Sequence, residues 1–353
     1  MNRHAIDVVF TWVDSNHPEW REEKDYWEKK LLPESGTSKI MESRLYSSFD
    51  EIRYGLRSVH GYLPWVRHIF LVTNNGSHPQ WLNLDDPKIT VVDYRTLLPA
   101  DSLPNYNSNA IEAFLYRIPG LSEHFVYFND DLLLLKPLQP GHFIDLKNNK
   151  LIYPLESDFL FKIFQRNKFL TYLERKYLKL DSHVIRPRFY TMKELDIPYD
   201  GLSTAHCPKI LSKSQCRMFN RSFPKQIEQL LNTKFRTPTN FTYLEALFHY
   251  SVKKQETAQF TEDYQTRIIT ILDYAIPNSI QIRRTRRNLK KYTFLAVENA
   301  RSRINLKEER KFASFLKSLF PSPAPWENTP PSPLLFAPGQ TDFGVTDVIS
   351  SIQ

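Results

Sequence analysis

The adjacent carboxylates Asp130 and Asp131 are the residues of this sequence most suited to chemistry. They follow a short apolar and aromatic run, residues 124–128, that is typical of a buried strand, and the apolar pattern resumes directly after them. Burying two carboxylates among Leu and Phe is costly without a cation or a positive partner. Ligands bind at the carboxyl ends of strands in open α/β sheets, so the pair could hold a divalent metal and the phosphates of a nucleotide-sugar. The alternative is a simple turn, because Asn and Asp favour turns.

Two further positions offer polar groups beside predicted loops. Residues 6–13 have the β-branched and aromatic composition of a strand, and Asp14 follows them before a Ser-Asn-His-Pro loop. Trp12 and Asp14 are therefore expected near a strand end, where Asp14 either binds a ligand or caps its own loop. His206 lies in a loop two residues before Pro208. A lone histidine is more often structural than catalytic, so His206 needs other evidence.

The elements around these residues predict an α/β fold. Apolar residues recur at helical spacing from Leu45 to Val59, and Arg44, Glu51 and Arg57 lie on the other side of this helix, where a solvated face is the simpler interpretation. Strands are predicted at residues 67–73 and 89–93, and a helix begins near residue 110 with Asn107 or Ser108 as its N-cap. Alternation of strands with helices favours a parallel, Rossmann-like sheet. Later helices are predicted over residues 158–180, 225–235 and 242–254.

Composition limits the class of protein without deciding it. The chain has 353 residues and a net charge of +8, which suits an anionic ligand. Its two cysteines form no disulfide framework or zinc pattern, and a reducing cytosol is the simplest location. There is no signal-peptide pattern and no apolar run of transmembrane length. Glycine-rich phosphate-binding motifs are absent, so phosphates would be bound by side chains and helix ends.

The last third of the chain carries a basic cluster, an amphipathic helix and a proline-rich tail. The cluster lies between Arg283 and Lys291, and it either binds a polyanion or forms a solvated face. The apolar face of the helix around Phe315 either packs into the core or meets an anionic membrane. Seven prolines follow from Pro321 onward, which predicts an extended or disordered tail over residues 321–353.

These segments together resemble the Stealth family, sugar-phosphate transferases of bacterial capsule synthesis that are related to the animal lysosomal-enzyme N-acetylglucosamine-1-phosphotransferase. Residues 6–14 closely resemble the family's first conserved region, and the stretch from Arg44 to Asp131 resembles the second. The third resembles residues 205–208 and, less tightly, 235–236, and the fourth resembles residues 315–327. One departure concerns the Asn-Asp pair usual in the fourth region, where this sequence has Glu298 and Asn299.

The resemblance implies transfer of a hexose- or N-acetylhexosamine-1-phosphate from a UDP-sugar to an acceptor hydroxyl, with release of UMP. Mg²⁺ or Mn²⁺ on Asp130 and Asp131 would offset the diphosphate charge. His206 would take the proton of the attacking hydroxyl, and Arg236 would bind the transferring phosphate. The other implied site residues are Glu51 in catalysis, Trp12, Asp14, Arg44, Arg57, Asn107, Arg117 and Asn129 at the nucleotide, and Glu298 and Asn299 at the metal.

The predicted architecture is a GT-A-like, Rossmann-like nucleotide-sugar-binding sheet over about residues 5–150 with a mainly helical acceptor part over about 151–320. The predicted partners are a UDP-sugar and a saccharide or growing capsule polymer, without nucleic acid. The predicted location is cytoplasmic, with peripheral association at the inner face of the membrane or with a capsule complex. The sequence leaves open a conventional glycosyltransferase that releases UDP, and a non-catalytic polyanion-binding protein.

Overall fold

The computed structural model describes residues 5–31, 50–157, 185–197, 202–236, 240–264, 266–271, 278–299 and 306–328. Arg44 and the helix predicted over residues 158–180 lie outside these ranges. The strands are β1 (Ile6–Thr11), β2 (Ile69–Thr73), β3 (Ile89–Asp93), β4 (His124–Asn129), β5 (Leu132–Leu134), β6 (Ile144–Asp145), β7 (Lys150–Ser157), β8 (Leu202–Thr204), β9 (Lys209–Ser212), β10 (Ala258–Thr261), β11 (Thr266–Ile271) and β12 (Phe294–Asn299).

Helices alternate with these strands along the chain. The α-helices are α1 (Pro18–Leu31), α2 (Glu51–Tyr62), α3 (Ser108–Glu112), α4 (Ile185–Glu194), α5 (Lys213–Ser222), α6 (Pro224–Asn232), α7 (Tyr243–Lys253), α8 (Asn278–Asn288) and α9 (Leu306–Leu319). Short 3-10 turns occur at Tyr94–Thr96, Ala100–Ser102, Leu115–Arg117, Pro140–His142 and Leu289–Lys291.

The main sheet has the order β3-β2-β1-β4-β9 within the described residues. Neighbours from β3 to β4 are parallel, and β9 is an antiparallel edge strand. β1 and β2 are buried along almost their whole length, as expected of parallel strands covered on both faces. The α/β, Rossmann-like prediction is confirmed. The part after residue 150 contains helices as predicted, but it also supplies β9 to the main sheet and strands to two smaller sheets, β10-β7-β6 and β11-β12-β5.

Two helices cover the third sheet and bury their apolar faces against it. α2 approaches β5 so closely at Gly55 that a Cβ there would lie 3.1 Å from the carbonyl oxygen of Leu132, and glycine permits this distance. The apolar face of α9, including Phe312 and Phe315, is buried against Leu133 and its neighbours. Of the two alternatives for this face, the structure therefore selects core packing. None of the described helices is long and apolar enough to cross a membrane.

The chain remains packed beyond Pro321, where the extended tail was predicted to begin. Trp326 is only 2% exposed, and its carbonyl accepts a hydrogen bond from the backbone N–H of Asn83 at 2.8 Å. Glu327 forms a bidentate ion pair with Arg57 on α2, with both N–O distances at 2.6 Å. Residues 321–328 are thus part of the fold, because an aromatic anchor and a buried charge pair fix them to it. Residues 329–353 lie outside the described ranges.

Candidate active site

A polar cleft lies at the carboxyl end of the main sheet. The strand register brings Thr11 of β1 beside Asn129 of β4 and Val72 of β2, so the loops that follow these strands meet at one edge. This is where open α/β sheets bind ligands. The cleft is lined by Thr11, Trp12, Val13, Trp20, Val72, Thr73, Asn74, Tyr94, Asn105, Tyr106, Ser108, Ile111, Glu112, Tyr127, Asn129, Asp130 and Arg236.

The acid pair joins this cleft to His206. Asp130 lines the cleft, whereas Oδ2 of Asp131 lies 2.9 Å from Nε2 of His206. The two side chains are 20% and 31% exposed, so the contact is only partly screened by water. The other carboxylate oxygen of Asp131, Oδ1, is buried and has no hydrogen-bond partner among the described residues. Two residues that are 75 positions apart in sequence are thus in direct contact, on the same side of the cleft.

The environment of Asp130 disfavours its charge. Desolvation, and then the neighbouring carboxylate of Asp131, raise the pKa of Asp130 to about 7. Backbone hydrogen bonds and His206 act in the opposite direction but do not cancel the effect. A carboxyl group held in this way gains stability from a cation placed beside it, because the cation removes the repulsion between the two acids.

Glu112 is a second buried acid of the cleft, and it was not among the predicted site residues. It is 8% exposed at the end of α3, and desolvation raises its pKa to about 7 despite the opposing charge of Arg236. The hydroxyl of Tyr127 lies 3.3 Å from Oε1 of Glu112 and 2.9 Å from Oγ1 of Thr11. The three side chains form a polar network on the floor of the cleft, and Tyr127 is shared between them.

Arg236 supplies the positive charge of the cleft. Its guanidinium is exposed and donates a hydrogen bond to Oγ of Ser108. The preceding residue, Phe235, is buried and stacks on Tyr106 with ring centroids 5.0 Å apart, while Trp20 meets Tyr106 edge-on. The aromatic cluster fixes the chain just before Arg236, and Tyr106 also contributes to the cleft wall.

The remaining strand-end candidates lie at or near the same edge. Trp12 and Asn129 line the cleft. Asp14 accepts a hydrogen bond from the backbone N–H of Asn16 at 2.9 Å, while its own N–H donates to Asn74 at 2.7 Å. The structure therefore shows the loop-capping alternative for Asp14, and a ligand role stays a prediction.

The backbone of Glu298 and Asn299 lies close to the acid pair. The N–H of Val297 donates to the carbonyl of Asp131 at 3.0 Å, and Glu298 is the next residue of β12. Their side chains are outside what the structure describes. Among the described residues, no group of three or more His, Cys, Asp and Glu side chains is arranged to hold a metal ion. The two carboxylates nevertheless suit Mg²⁺, which typically takes one or two protein carboxylates together with substrate phosphates.

Four other predicted residues lie away from the cleft lining. Glu51 is buried as the first residue of α2, and Asn107 is the buried N-cap of α3, where its Oδ1 accepts the N–H of Asn109. Arg57 is engaged by Glu327 and by the carbonyl of Phe320. Arg117 ends the 3-10 turn Leu115–Arg117 and donates to the carbonyl of Leu97 at 2.9 Å. These four residues lie outside the cleft lining, and their ligand and catalytic roles stay predictions.

The sequence held a weak signal for the residues that were missed. Glu112 follows an apolar position on a short helix, and Tyr127 lies within an unbroken run of buried residues of β4, so each could be assigned to the core. Only the tertiary arrangement shows that both side chains reach the strand-end cleft.

Comparisons with known proteins agree with this geometry. Residues 4–32 match the model of Stealth protein CR1, conserved region 1, and residues 45–152 match that of Stealth protein CR2, conserved region 2. A capsular polysaccharide phosphotransferase of Haemophilus influenzae is 36% identical over 231 residues, which are 65% of this chain and 60% of the relative. An exopolysaccharide phosphotransferase of Streptomyces coelicolor is 30% identical over 350 residues, 92% of this chain and 53% of the relative. The chain thus spans somewhat more than half the length of these relatives.

Among solved structures, the galactosyltransferase LgtC in complex with donor and acceptor sugar analogs covers 91% of this chain and 99% of that chain, with 10% identity and a TM-score of 0.42. At that score the fold assignment continues to rest on the strand order. Fold and site define an α/β protein with a charged ligand cleft at the carboxyl end of a largely parallel sheet. The two conserved-region matches and the relatives are more specific, and this chain belongs to the Stealth family.

Proposed function

We propose that this protein transfers a sugar 1-phosphate from a UDP-sugar to a saccharide hydroxyl, forming a phosphodiester and releasing UMP in capsule or exopolysaccharide synthesis. The observation that carries the proposal is the contact between Asp131 and His206 beside a strand-end cleft. In this arrangement His206 would be a proton acceptor next to the two carboxylates that would hold the metal of a bound diphosphate. The names of the relatives support phosphate transfer in particular.

The cleft offers complementary groups for each part of the donor. Trp12 and Tyr106 line it with aromatic surface suited to a base, and Arg236 offers a fork of donors suited to phosphate oxygens. Asp130 and Asp131 would hold Mg²⁺ or Mn²⁺, and the buried Oδ1 of Asp131 is an oxygen whose lone pairs such an ion would use. The metal would supply charge neutralisation of the diphosphate. Glu298 or Asn299 could add a ligand, because their backbone runs beside the pair.

Asp131 would serve His206 as well as the metal. The hydrogen bond at Oδ2 favours the tautomer with its proton on Nε2, which leaves the lone pair on Nδ1 to accept the acceptor's hydroxyl proton. The carboxylate also stabilises the imidazolium that forms as the hydroxyl attacks phosphorus. Phosphoryl transfer depends on positioning and charge stabilisation, and this pair supplies both on the acceptor side.

The experiment is incubation of the purified protein with a panel of UDP-sugars, Mg²⁺ and acceptor oligosaccharides, followed by nucleotide analysis. Formation of UMP together with a phosphodiester product supports the proposal, and it should vanish in His206→Ala. Formation of UDP would make the protein a conventional glycosyltransferase. Absence of any turnover across the panel, with steeply salt-sensitive polyanion binding, would favour a binding protein. Fractionation of cells tests the accompanying proposal of a cytoplasmic location at the inner face of the membrane.

A further inference from the structure

A basic groove lies beside the cleft and reaches the start of β4. It is lined by Thr96, Tyr116, Arg117, Ile118, Pro119, Gly120, Lys213, Arg217, Asn220 and Arg221, and none of these described residues is acidic. β9 pairs antiparallel with β4, so that Ser212 lies beside His124 at the start of β4. Thr96 follows Tyr94 of the cleft lining by two residues, and Asn220 donates to the carbonyl of Ala113, the residue after Glu112, at 2.8 Å. The groove therefore extends from the start of β4 to the side of the cleft.

Three of the four bases form a stripe along one helix. Lys213, Arg217 and Arg221 follow one another at i, i+4 and i+8 on α5. Such like-charge neighbours destabilise a helix by about 0.2–0.5 kcal/mol per pair, so the stripe does not contribute to folding through its charges. With a rise of about 1.5 Å per residue, the three cations extend over roughly 12 Å. Several charged groups of a linear anion could contact all three cations at once, whereas one small ion could contact only part of the stripe.

The guanidinium groups are partly fixed in place before any ligand arrives. Arg117 donates to the carbonyl of Leu97 at 2.9 Å and lies over the ring of Phe114, 5.2 Å from its centroid. Arg217 lies over the ring of Tyr116 at 6.0 Å. Both arginines remain exposed. Cations that are held on aromatic faces lose less side-chain freedom when an anion binds.

The neighbouring acids are engaged elsewhere. Asp7 is buried and forms hydrogen bonds with Arg67 at 2.9 and 2.5 Å. Glu123 accepts hydrogen bonds from Ser212 and Ser214 at 2.7 and 2.5 Å, and Lys213 donates to the carbonyl of Leu121 at 3.0 Å. The charge of Asp7 is thus balanced by Arg67, whereas Glu123 keeps its charge, and the four bases of the groove exceed this one neighbouring acid.

We propose that this groove binds a linear, phosphodiester-linked polysaccharide, the growing acceptor chain, beside the cleft. The inference rests on the proposed function for the identity of the polymer, whereas the groove's preference for a linear polyanion follows from its charges and shape. Holding the chain here raises the effective concentration of its end at the cleft. The groove should therefore lower the KM for long acceptors and leave the KM for a single repeat unit unchanged.

The test compares two charge-reversed variants with the same change in net charge. Arg217→Glu/Arg221→Glu alters the groove, and Arg283→Glu/Arg287→Glu alters an exposed i, i+4 pair on α8 as the control. The probes are a purified phosphodiester-linked capsular polysaccharide, a neutral dextran of equal length, and vesicles containing phosphatidylserine. We expect the groove variant to bind the polysaccharide at least about tenfold more weakly, because two attractions become repulsions. The control should bind within about twofold of the wild type, and neither should bind dextran.

Three results would overturn the inference. They are unchanged polysaccharide affinity in the groove variant, equal losses in both variants, and a loss confined to vesicle binding, which would assign the groove to a lipid surface. Binding is measured without turnover, so failure of the proposed function would appear separately, as absence of UMP release by the wild type. Where UMP release is present, a rise in KM for the polymer but not for one repeat unit supports the inference.

Discussion

The ion pair between Arg57 and Glu327 allows a quantitative test of the role of Arg57, which the family resemblance assigned to nucleotide binding. Both side chains are almost fully buried, at 5% and 6% exposure, and they meet through two contacts of 2.6 Å. Removing one partner of such a pair costs about 3–5 kcal/mol, because the other charge remains buried. Arg53 lies 3.8 Å from Glu327 and compensates in part, so the lower end of this range applies to Arg57→Ala. At roughly 2 °C per kcal/mol for a large domain, the melting temperature should fall by about 6 °C.

Thermal unfolding and donor KM should be measured together for Arg57→Ala, Glu327→Ala and the double variant. The double variant should lose less stability than the sum of the single ones, because the pair is removed only once. Donor KM should stay within about twofold in all three. Arg236→Ala is the matched control, and it should raise donor KM with little change in melting temperature, because Arg236 is exposed in the cleft. A tenfold rise in donor KM for Arg57→Ala at unchanged melting temperature would refute the structural role.

Three further predictions concern the cleft. His206→Ala should lower turnover by about 100-fold or more while calorimetry shows nearly unchanged donor affinity, since a general base acts mainly in the transition state. A parallel loss of donor affinity would instead assign His206 to the donor site. Asp130→Asn and Asp131→Asn should each lower turnover by at least about 100-fold and leave the circular dichroism spectrum intact. Excess chelator should abolish wild-type activity, and full activity in chelator would contradict a metal role. The folded-state pKa of Glu112 lies above its ordinary value of 4.5, at about 7, so the folded protein binds the extra proton and loses stability as pH rises between these values. Glu112→Gln should remove this loss in the free energy of unfolding, which is on the order of 3 kcal/mol at about 1.4 kcal/mol per pKa unit. An equal pH dependence of unfolding in the wild type and the variant would contradict this prediction.

The sequence predicted the strand ends well because their signals are local. β1 and β4 are continuous apolar runs that stop at polar residues, and this pattern alone places Trp12, Asn129 and Asp130 at one edge of a parallel sheet. His206 was singled out only through the family resemblance, and its contact with Asp131 was not predicted, because a loop histidine 75 residues away carries no local sign of its partner.

Residues whose roles depend on long-range packing were less predictable. Arg57 shares a helix face with other charged residues, and nothing in the spacing indicates that its partner is Glu327, 270 residues later. The proline content after residue 321 likewise predicted the loss of packing, whereas Trp326 inserts into the core and keeps that segment ordered. Glu112 was overlooked because its burial, which raises its pKa, is a property of the folded cleft.

The central proposal is that the bond formed by this protein is to phosphorus, and an isotope measurement tests it most directly. A UDP-sugar is prepared with ¹⁸O in the bridge between the anomeric carbon and the β-phosphorus, and the products are analysed by mass spectrometry. If the sugar 1-phosphate is transferred, the label appears in the phosphodiester product and the nucleotide leaves as unlabelled UMP. If ¹⁸O is instead recovered in UDP, the anomeric bond has been broken. That result would contradict the proposal that Asp131 and His206 act in phosphate transfer.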